Sequence, residues 1–251
     1  MSLRRDGFLG GRLALWQPAQ GYRAGADAVM LAAAVPARAG DRVLELGCGA
    51  GVAALCLAAR VPGVAVTGLE LQADYAALAM RNAAETGLPV QVIQGDLAAM
   101  PASLRDQSFD HVMMNPPYFL GGTEAPDAGR STARHEAAPL SLWLDAGLRR
   151  LRPGGWLVAI HRAERLADLL AGLSGRAGAL TVLPIAARQG REAGRVIVAA
   201  RKGARSPLRL LAPLVVHEKP SHSDDSEDFS PLAQAVLRDG APIVLSGGEN
   251  G

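Results

Sequence analysis

Residues 42–60 read "RVLELGCGAGVAALCLAAR". The short run "RVLEL" (42–46) has the composition of a buried strand, and "VAALCLAAR" (52–60) places apolar residues at helical spacing. Between them lie Gly47, Gly49 and Gly51. Glycines at a strand-to-helix turn let the backbone approach a ligand and leave free amides at the helix N-terminus. The alternation continues outward from this unit. "VAVTGLE" (64–70) reads as a second strand, and "ADYAALAMRNAAETG" (73–87) as a helix stopped by Gly87 and Pro89. "VQVIQ" (90–94) and "FDHVMM" (109–114) supply the third and fourth strands. A helix over 140–151, a fifth strand over 156–161 and a helix over 163–173 follow. "LTVLPIA" (180–186) and "RVIVAARK" (195–202) then pair as a hairpin. Such alternation predicts an α/β fold: a doubly wound, mostly parallel sheet covered on both faces, with an antiparallel hairpin strand at one edge.

The totals agree with one domain spanning 1–251, divided into an N-terminal segment (1–40), a core (41–203) and a C-terminal extension (204–251). A hydrophobic fraction of 49% is ample for a packed core. The formal charge of +2 and a pI near 8.8 suit a nucleic-acid partner without demanding one. Cys48 and Cys56 stand eight apart, which is no metal-ligand spacing, and His217 and His222 beside Asp224 and Asp225 lack it too, so no metal is expected. The opening "MSLRRDGFLGGRLALW" is not a secretory signal, and no apolar stretch is long enough for a bilayer. A cytoplasmic protein with no membrane partner is expected. Walker A and Gly-x-Ser-x-Gly patterns are absent, which removes the hydrolase and nucleotidase readings.

The glycine loop is not a dinucleotide fingerprint, because Val52 stands where the third glycine belongs. An acid, Glu45, precedes it at the strand end. A phosphate-binding loop gains nothing from a carboxylate there, whereas a cationic ligand does. A second acid, Glu70, ends the second strand 19 residues beyond Gly51, where a carboxylate can accept ribose hydroxyl hydrogen bonds. Asp96, past the third strand, is placed to meet an adenine; its bland alternative is a helix N-cap. A cofactor that is a nucleoside at one end and cationic at the other is S-adenosylmethionine. Its candidate ligands are Glu45, Gly47, Cys48, Gly49, Gly51, Glu70, Leu71, Asp96, Leu97 and Asn115.

Residues 115–119 read "NPPYF" where the fourth strand stops. Proline cannot donate to a β-ladder, and it pushes the preceding Asn115 into an extended conformation. A simple strand-ending turn is one reading. The other is catalytic. An exocyclic amine is a poor nucleophile because its lone pair is delocalised into the ring. The Asn115 carboxamide oxygen and the Pro116 carbonyl can accept its two N–H bonds and localise that pair, while Tyr118 offers a flat face for stacking a base, worth ~1–3 kcal/mol.

"NPPY" after a fourth strand, with "ELGCGAG" (45–51) before it, resembles the class I amino-methyltransferases. "QPAQGYRAGADAVMLAAAV" (17–35), "RSTARHEA" (130–137) and "PGGWLVAIHRAERL" (153–166) are similar to the bacterial valine-tRNA adenine-N6 methyltransferases, a likeness running through roughly residues 8–245. That resemblance implies a seven-stranded sheet whose last-added strand is antiparallel. It also implies that the segment around Tyr22, Arg23 and Asp27 folds over the methionine end of the cofactor, making 1–40 a lid segment; read from the residues, the same stretch is an Asp-capped amphipathic helix.

On the substrate side, 118–138 is a long irregular stretch in which Tyr118, Phe119, Arg130, Arg134 and His135 are candidate substrate contacts. From 188 to 209 seven cations (Arg188, Arg191, Arg195, Arg201, Lys202, Arg205, Arg209) face one acid, Glu192; RNA phosphates or plain solvation would explain them. The leading expectation is N6-methylation of an adenine in tRNA. The alternatives are a release-factor glutamine methyltransferase, which resembles this chain at "NPPY" but normally has a helical domain before the glycine loop, a ribosomal-RNA base methyltransferase, and a non-catalytic RNA- or nucleotide-binding protein. With only about 50 residues after the hairpin, room for a DNA target-recognition domain is short.

Overall fold

The computed structural model describes residues 2–117, 138–219 and 228–245. An antiparallel hairpin, β1 (Leu3–Phe8) and β2 (Leu13–Pro18), comes first and forms its own two-stranded sheet. Its strands carry only partial alternation, and the tight turn between them places Leu9, Gly10 and Gly11 at positive φ. Helix α1 (Ala26–Ala34) follows. Then come β3 (Arg42–Leu46), α2 (Val52–Arg60), β4 (Ala65–Glu70), α3 (Ala73–Thr86), β5 (Val90–Gln94), the short α4 (Ala102–Arg105) and β6 (Phe109–Met114). The second half holds α5 (Leu140–Arg150), β7 (Leu151–Arg162), α6 (Leu166–Leu173), β8 (Ala177–Arg188), β9 (Ala193–Lys202), β10 (Arg209–Leu210), β11 (Leu214–His217) and α7 (Pro231–Leu237).

The main sheet runs β10-β8-β9-β7-β6-β3-β4-β5, with β11 also on β8. The seven long strands are those expected, and β9 is antiparallel to both β7 and β8. Of these seven, β8 is outermost and β9 lies next to it. β10 and β11 from the C-terminal extension pair with β8 in parallel and form the edge of a nine-stranded sheet, so the antiparallel strand β9 is two positions in.

Side chains alternate across the sheet with the period of two that a pleated strand imposes. Val43, Met113, Val158 and Ile160 pack under α1, α2 and α7, whereas Leu44, Val112, Met114, Leu157 and Ala159 pack under α5 and α6. Burying each of the larger of these side chains contributes about 1.5–3 kcal/mol. Both faces are therefore covered, as a parallel sheet requires. Helix α1 departs from the amphipathic expectation. Residues Ala28 to Ala34 are all buried, because the helix lies between the sheet, α2 and α7. Its N-cap is Gly25 with no side-chain cap; Asp27 lies inside the first turn and does not cap it.

Among the described residues, no helix is long and apolar enough to cross a membrane.

Candidate functional site

Parallel strands β3, β4, β5, β6 and β7 end on one edge of the sheet. Leu46 pairs with Met114 across β3 and β6, so the chain emerges as Gly47 on one strand and Asn115 on the next. The glycine loop begins here. Gly47, Gly49 and Gly51 all have positive φ (69°, 54° and 82°), and Gly51 caps α2. Gly47 is also required by contact: a Cβ there would lie 2.5 Å from the Trp143 ring of α5. The loop is pinned from behind, since the Gly47 and Cys48 amides both donate to the Leu69 carbonyl at the end of β4 (2.8 and 3.0 Å).

Glu45 is 3% exposed, and its Oε2 is buried without a hydrogen-bond partner. Desolvation pushes its carboxyl well above the ordinary carboxylate range and Glu70 adds to this, while the Ala54 amide pulls the other way. Such an atom is costly unless something pairs with it. Glu70 is also buried, but it is satisfied: Oε2 accepts from the Gly49 amide (2.8 Å) and Oε1 from the Gln72 amide (2.9 Å). A carboxylate has about four lone-pair positions, so both oxygens retain acceptor capacity for a ligand's hydroxyls.

Tyr22, of the N-terminal segment, reaches this cleft. Its ring lies over Gly49, with Cε1 3.8 Å from where a Cβ would stand. Its hydroxyl meets the Asn115 Nδ2 at 3.5 Å. Desolvation, with the nearby charges of Glu45, Asp27, Tyr75 and Glu70, pushes the phenol up to about 12, so it stays protonated. Tyr22, Glu45, Gly47, Cys48 and Asn115 thus line one cleft together with Gln17 and Tyr75. Pro116 is buried behind Asn115.

Several expected residues are placed elsewhere. Arg23 is ion-paired with Asp6 of β1 (2.8 Å), and Asp27 with Arg195 of β9 (3.0 Å). Asp96 is exposed and accepts from the Ala98 amide (2.8 Å) in a local turn; the next helix starts only at Ala102 with Pro101 at its N-cap, so Asp96 is not a helix N-cap either. Leu71 is 48% exposed beyond Glu70, while Leu97 packs against the core. Tyr118, Phe119, Arg130, Arg134 and His135 lie outside the described residues. Burial pushes the thiols up, that of Cys56 to about 12 and that of Cys48 well above its ordinary value, so both stay protonated. Among the described residues no cluster of three or more His, Cys, Asp or Glu could hold a metal. Sequence reasoning gave no role to Gln17, Asn82, Tyr75 or Trp143. A glutamine in an otherwise apolar strand and an asparagine on the buried face of α3 were the available signals.

The cleft fits S-adenosylmethionine. An unpartnered buried carboxylate oxygen suits a cationic group, and Glu70 beside the loop amides suits a ribose. Glu45, Glu70 and the glycine loop would hold it, with Tyr22 above.

Comparison with known proteins gives the same picture. The model of the family "Methyltransferase small domain" matches residues 25–165. A Dickeya chrysanthemi protein named tRNA1(Val) (adenine(37)-N6)-methyltransferase is 28% identical over 247 residues, 95% of each chain. One of the same name from Aeromonas hydrophila is 31% identical over 72% of this chain and 77% of its own length. A crystal structure of a predicted O-methyltransferase from Agrobacterium tumefaciens superposes with a TM-score of 0.71 at 30% identity, covering 86% of this chain and 98% of that one. The chain therefore belongs to the methyltransferase small domain family and is a class I methyltransferase that uses S-adenosylmethionine.

Proposed function

We propose that this chain methylates the exocyclic N6 of an adenine in a tRNA, a valine tRNA being the first candidate. The observation that carries the reading is Asn115, one residue beyond the Met114–Leu46 pair, lining the same cleft as Glu45. When bound, S-adenosylmethionine supplies an electrophilic methyl group on a sulfonium. The chain's own part is to hold the acceptor. With Nδ2 of Asn115 toward the Tyr22 hydroxyl, the carboxamide oxygen lies on the other side of the group. That oxygen and the Pro116 carbonyl accept the two N–H bonds of the amine, and this positioning is the main contribution to rate. Tyr118 stacks on the base, with Phe119, Arg130, Arg134 and His135 as further substrate contacts. Tyr22, with Arg23 and Asp27 behind it, closes the cofactor side; Glu70, Leu71, Asp96 and Leu97 serve its nucleoside.

Hydroxyl methylation is the rival, given the name of the Agrobacterium relative. A hydroxyl must lose its proton before or during transfer, which calls for a base near neutral pKa. Among the described residues no histidine lines the cleft, Tyr22 is pushed up to about 12, and Glu45, whose carboxyl is also raised, is the group this reading commits to the cofactor's cationic end. An amine needs no such base, because its proton leaves after the methyl has arrived. The homologues' names point to tRNA, and a tRNA substrate would place the enzyme in the cytoplasm. The chain acts as one unit, 1–40 covering the cofactor, 41–203 forming the core and 204–251 closing the sheet edge.

The test is transfer of labelled methyl from S-adenosylmethionine to total tRNA, release factor and duplex DNA in separate assays, with product nucleosides resolved. N6-methyladenosine from tRNA alone, lost in Asn115→Ala with cofactor affinity retained, is the expected result. Label in the release factor would move the acceptor to a glutamine amide and refute the RNA reading.

A further inference from the structure

Residues 21–25, which carry Tyr22 to the cleft, have no regular structure, and Gly21, Tyr22, Arg23 and Gly25 are all exposed. Apolar packing therefore does little to place the Tyr22 ring. Three polar clamps do it. The Tyr22 carbonyl accepts from the Tyr75 hydroxyl of α3 (2.9 Å), and the Arg23 guanidinium is held by Asp6. The third clamp is Gln17 of β2, which is 1% exposed. Its Oε1 accepts from the Ala24 amide (2.8 Å), and its Nε2 donates to the Ala24 carbonyl (3.1 Å) and to Asp6 Oδ2 (2.9 Å). Both N–H bonds of the carboxamide are thus engaged by protein, so Gln17 works on the cleft through its neighbours.

The strand bearing Gln17 is fixed in the same manner one residue earlier. Asn82 of α3, also 1% exposed, accepts from the Trp16 amide (2.8 Å) and donates from Nδ2 to the Trp16 carbonyl and to the Ala50 carbonyl of the glycine loop (2.9 Å each). Two buried carboxamides, Asn82 gripping Trp16 and the neighbouring Gln17 gripping Ala24, therefore connect the loop to the Tyr22 segment through β2: loop Ala50, Asn82, Trp16, Gln17, Ala24, Tyr22. A carboxamide that reads both main-chain groups of one residue fixes orientation as well as distance. Any side chain lacking the same donors and acceptor would leave buried polar groups unpaired.

We propose that Gln17 is a positioning residue that sets Tyr22 over the glycine loop, with Asn82 tying its strand to that loop. The inference rests on the reading that this cleft is the cofactor site. The purpose of the N-terminal hairpin is then mechanical: it carries the clamp.

Three readouts test it in the full-length protein. Amide exchange of the free protein should show faster exchange at Ala24 in Gln17→Leu, while the strands of the main sheet stay protected. Calorimetric titration with S-adenosylmethionine should show binding weakened about tenfold, the factor that matches about 1.4 kcal/mol. Tyr22→Ala should weaken it comparably, and the double variant no further than Tyr22→Ala alone, because residues acting as a unit are not additive. Asp6→Asn, a milder change at the end of the same clamp, should move affinity and Ala24 exchange in the same direction and keeps the test open if Gln17→Leu does not fold. Unchanged affinity in folded Gln17→Leu or Asp6→Asn, or additive losses in the double variant, would overturn the proposal and leave the cofactor site standing. Unchanged affinity in Tyr22→Ala would show that Tyr22 does not cover the cofactor and would likewise overturn the proposal, whereas unchanged affinity in Glu45→Gln would overturn the reading of the cleft itself.

Discussion

Replacing Glu45 by glutamine separates the needs of the fold from those of the ligand. In the free protein this carboxylate is buried with one oxygen unpartnered. An unsatisfied buried polar group costs ~1–3 kcal/mol, and more when charged. Glutamine keeps an acceptor for the Ala54 amide and puts a neutral but still unpaired NH2 where the charged oxygen stood, so Glu45→Gln removes the charge penalty alone and should stabilise the free protein by about 1 kcal/mol where wild-type Glu45 is ionised. At roughly 2–4 °C per kcal/mol for a chain of this size, the melting temperature rises measurably. The pH dependence fixes the sign. Glu45 has a folded pKa above its ordinary value of 4.5. Between those values the folded state holds a proton that the unfolded state has lost, so wild-type stability falls as pH rises through the window. The glutamine variant lacks this loss. Its advantage should be small in acid, grow with pH and level off above the folded pKa. Cofactor binding should move oppositely, weakening roughly ten- to hundredfold with loss of a charge-assisted contact worth ~1.5–3 kcal/mol. Denaturant melts from acid to mildly alkaline pH, with calorimetric titration of the cofactor, read both effects. A variant as stable as wild type at every pH, or one that binds cofactor equally well, would refute the argument.

Gly47→Ala should destabilise by about 2–4 kcal/mol, from backbone strain at φ 69° and a Cβ forced to within 2.5 Å of Trp143, and it should weaken cofactor binding; Gly40→Ala, with φ 88° but open space around it, should cost only the strain, about 1 kcal/mol. Glu70→Gln turns an N–H toward one of the two amides that Glu70 now accepts from, at Gly49 and Gln72, so loop stability should fall by ~1–3 kcal/mol and cofactor affinity with it, both read by titration and melting. Asp228 accepts from Arg188 and from His217, and although burial opposes it, those bonds and charges hold its pKa at about 2. The stability from that contact is present above the ordinary value of 3.8 and is lost as pH falls toward about 2, so acid melts of wild type should show a step that Asp228→Asn lacks.

The legible parts of the chain were those in which local pattern and tertiary context agree. "RVLEL", the glycine loop and α2 could be read from one stretch, since an apolar strand, three positive-φ glycines and a helical stripe each obey a local rule. The β8–β9 hairpin was equally plain. What was missed lacks such a rule. In β1, "LRRDGF", only Phe8 is buried, so there is little alternation to see, and the cue was the Gly10-Gly11 pair in the turn. β10 and β11 are short strands defined by pairing with β8, which no local pattern announces. At the site, the acids at strand ends were readable because strand direction places them. The partners of Arg23 and Asp27 were not, because Asp6 and Arg195 are brought near only by folding.

The cations of 188–209 show why charge counted along a chain is a poor guide to a surface. β9 runs antiparallel to β7, so Arg195 lies at the catalytic end of the sheet and Arg201, opposite Trp156, at the far end, about 20 Å away. The run therefore does not form one stripe at the mouth of the cleft. Near the catalytic end, Arg188 and Arg195 are matched by Asp228 and Asp27. At the far end, Arg201 and Lys202 donate to the Gly154 and Leu151 carbonyls, which keep their charge but draw it onto the first residues of β7. Guanidinium groups that tie strands together are as much a part of the fold as Leu157 or Val198. Under the proposed function an RNA at the cleft would meet Arg191, exposed in the β8–β9 turn at the same end of the sheet, but not Arg201 or Lys202, so few cations of this run would contribute and the dependence on salt should be correspondingly shallow.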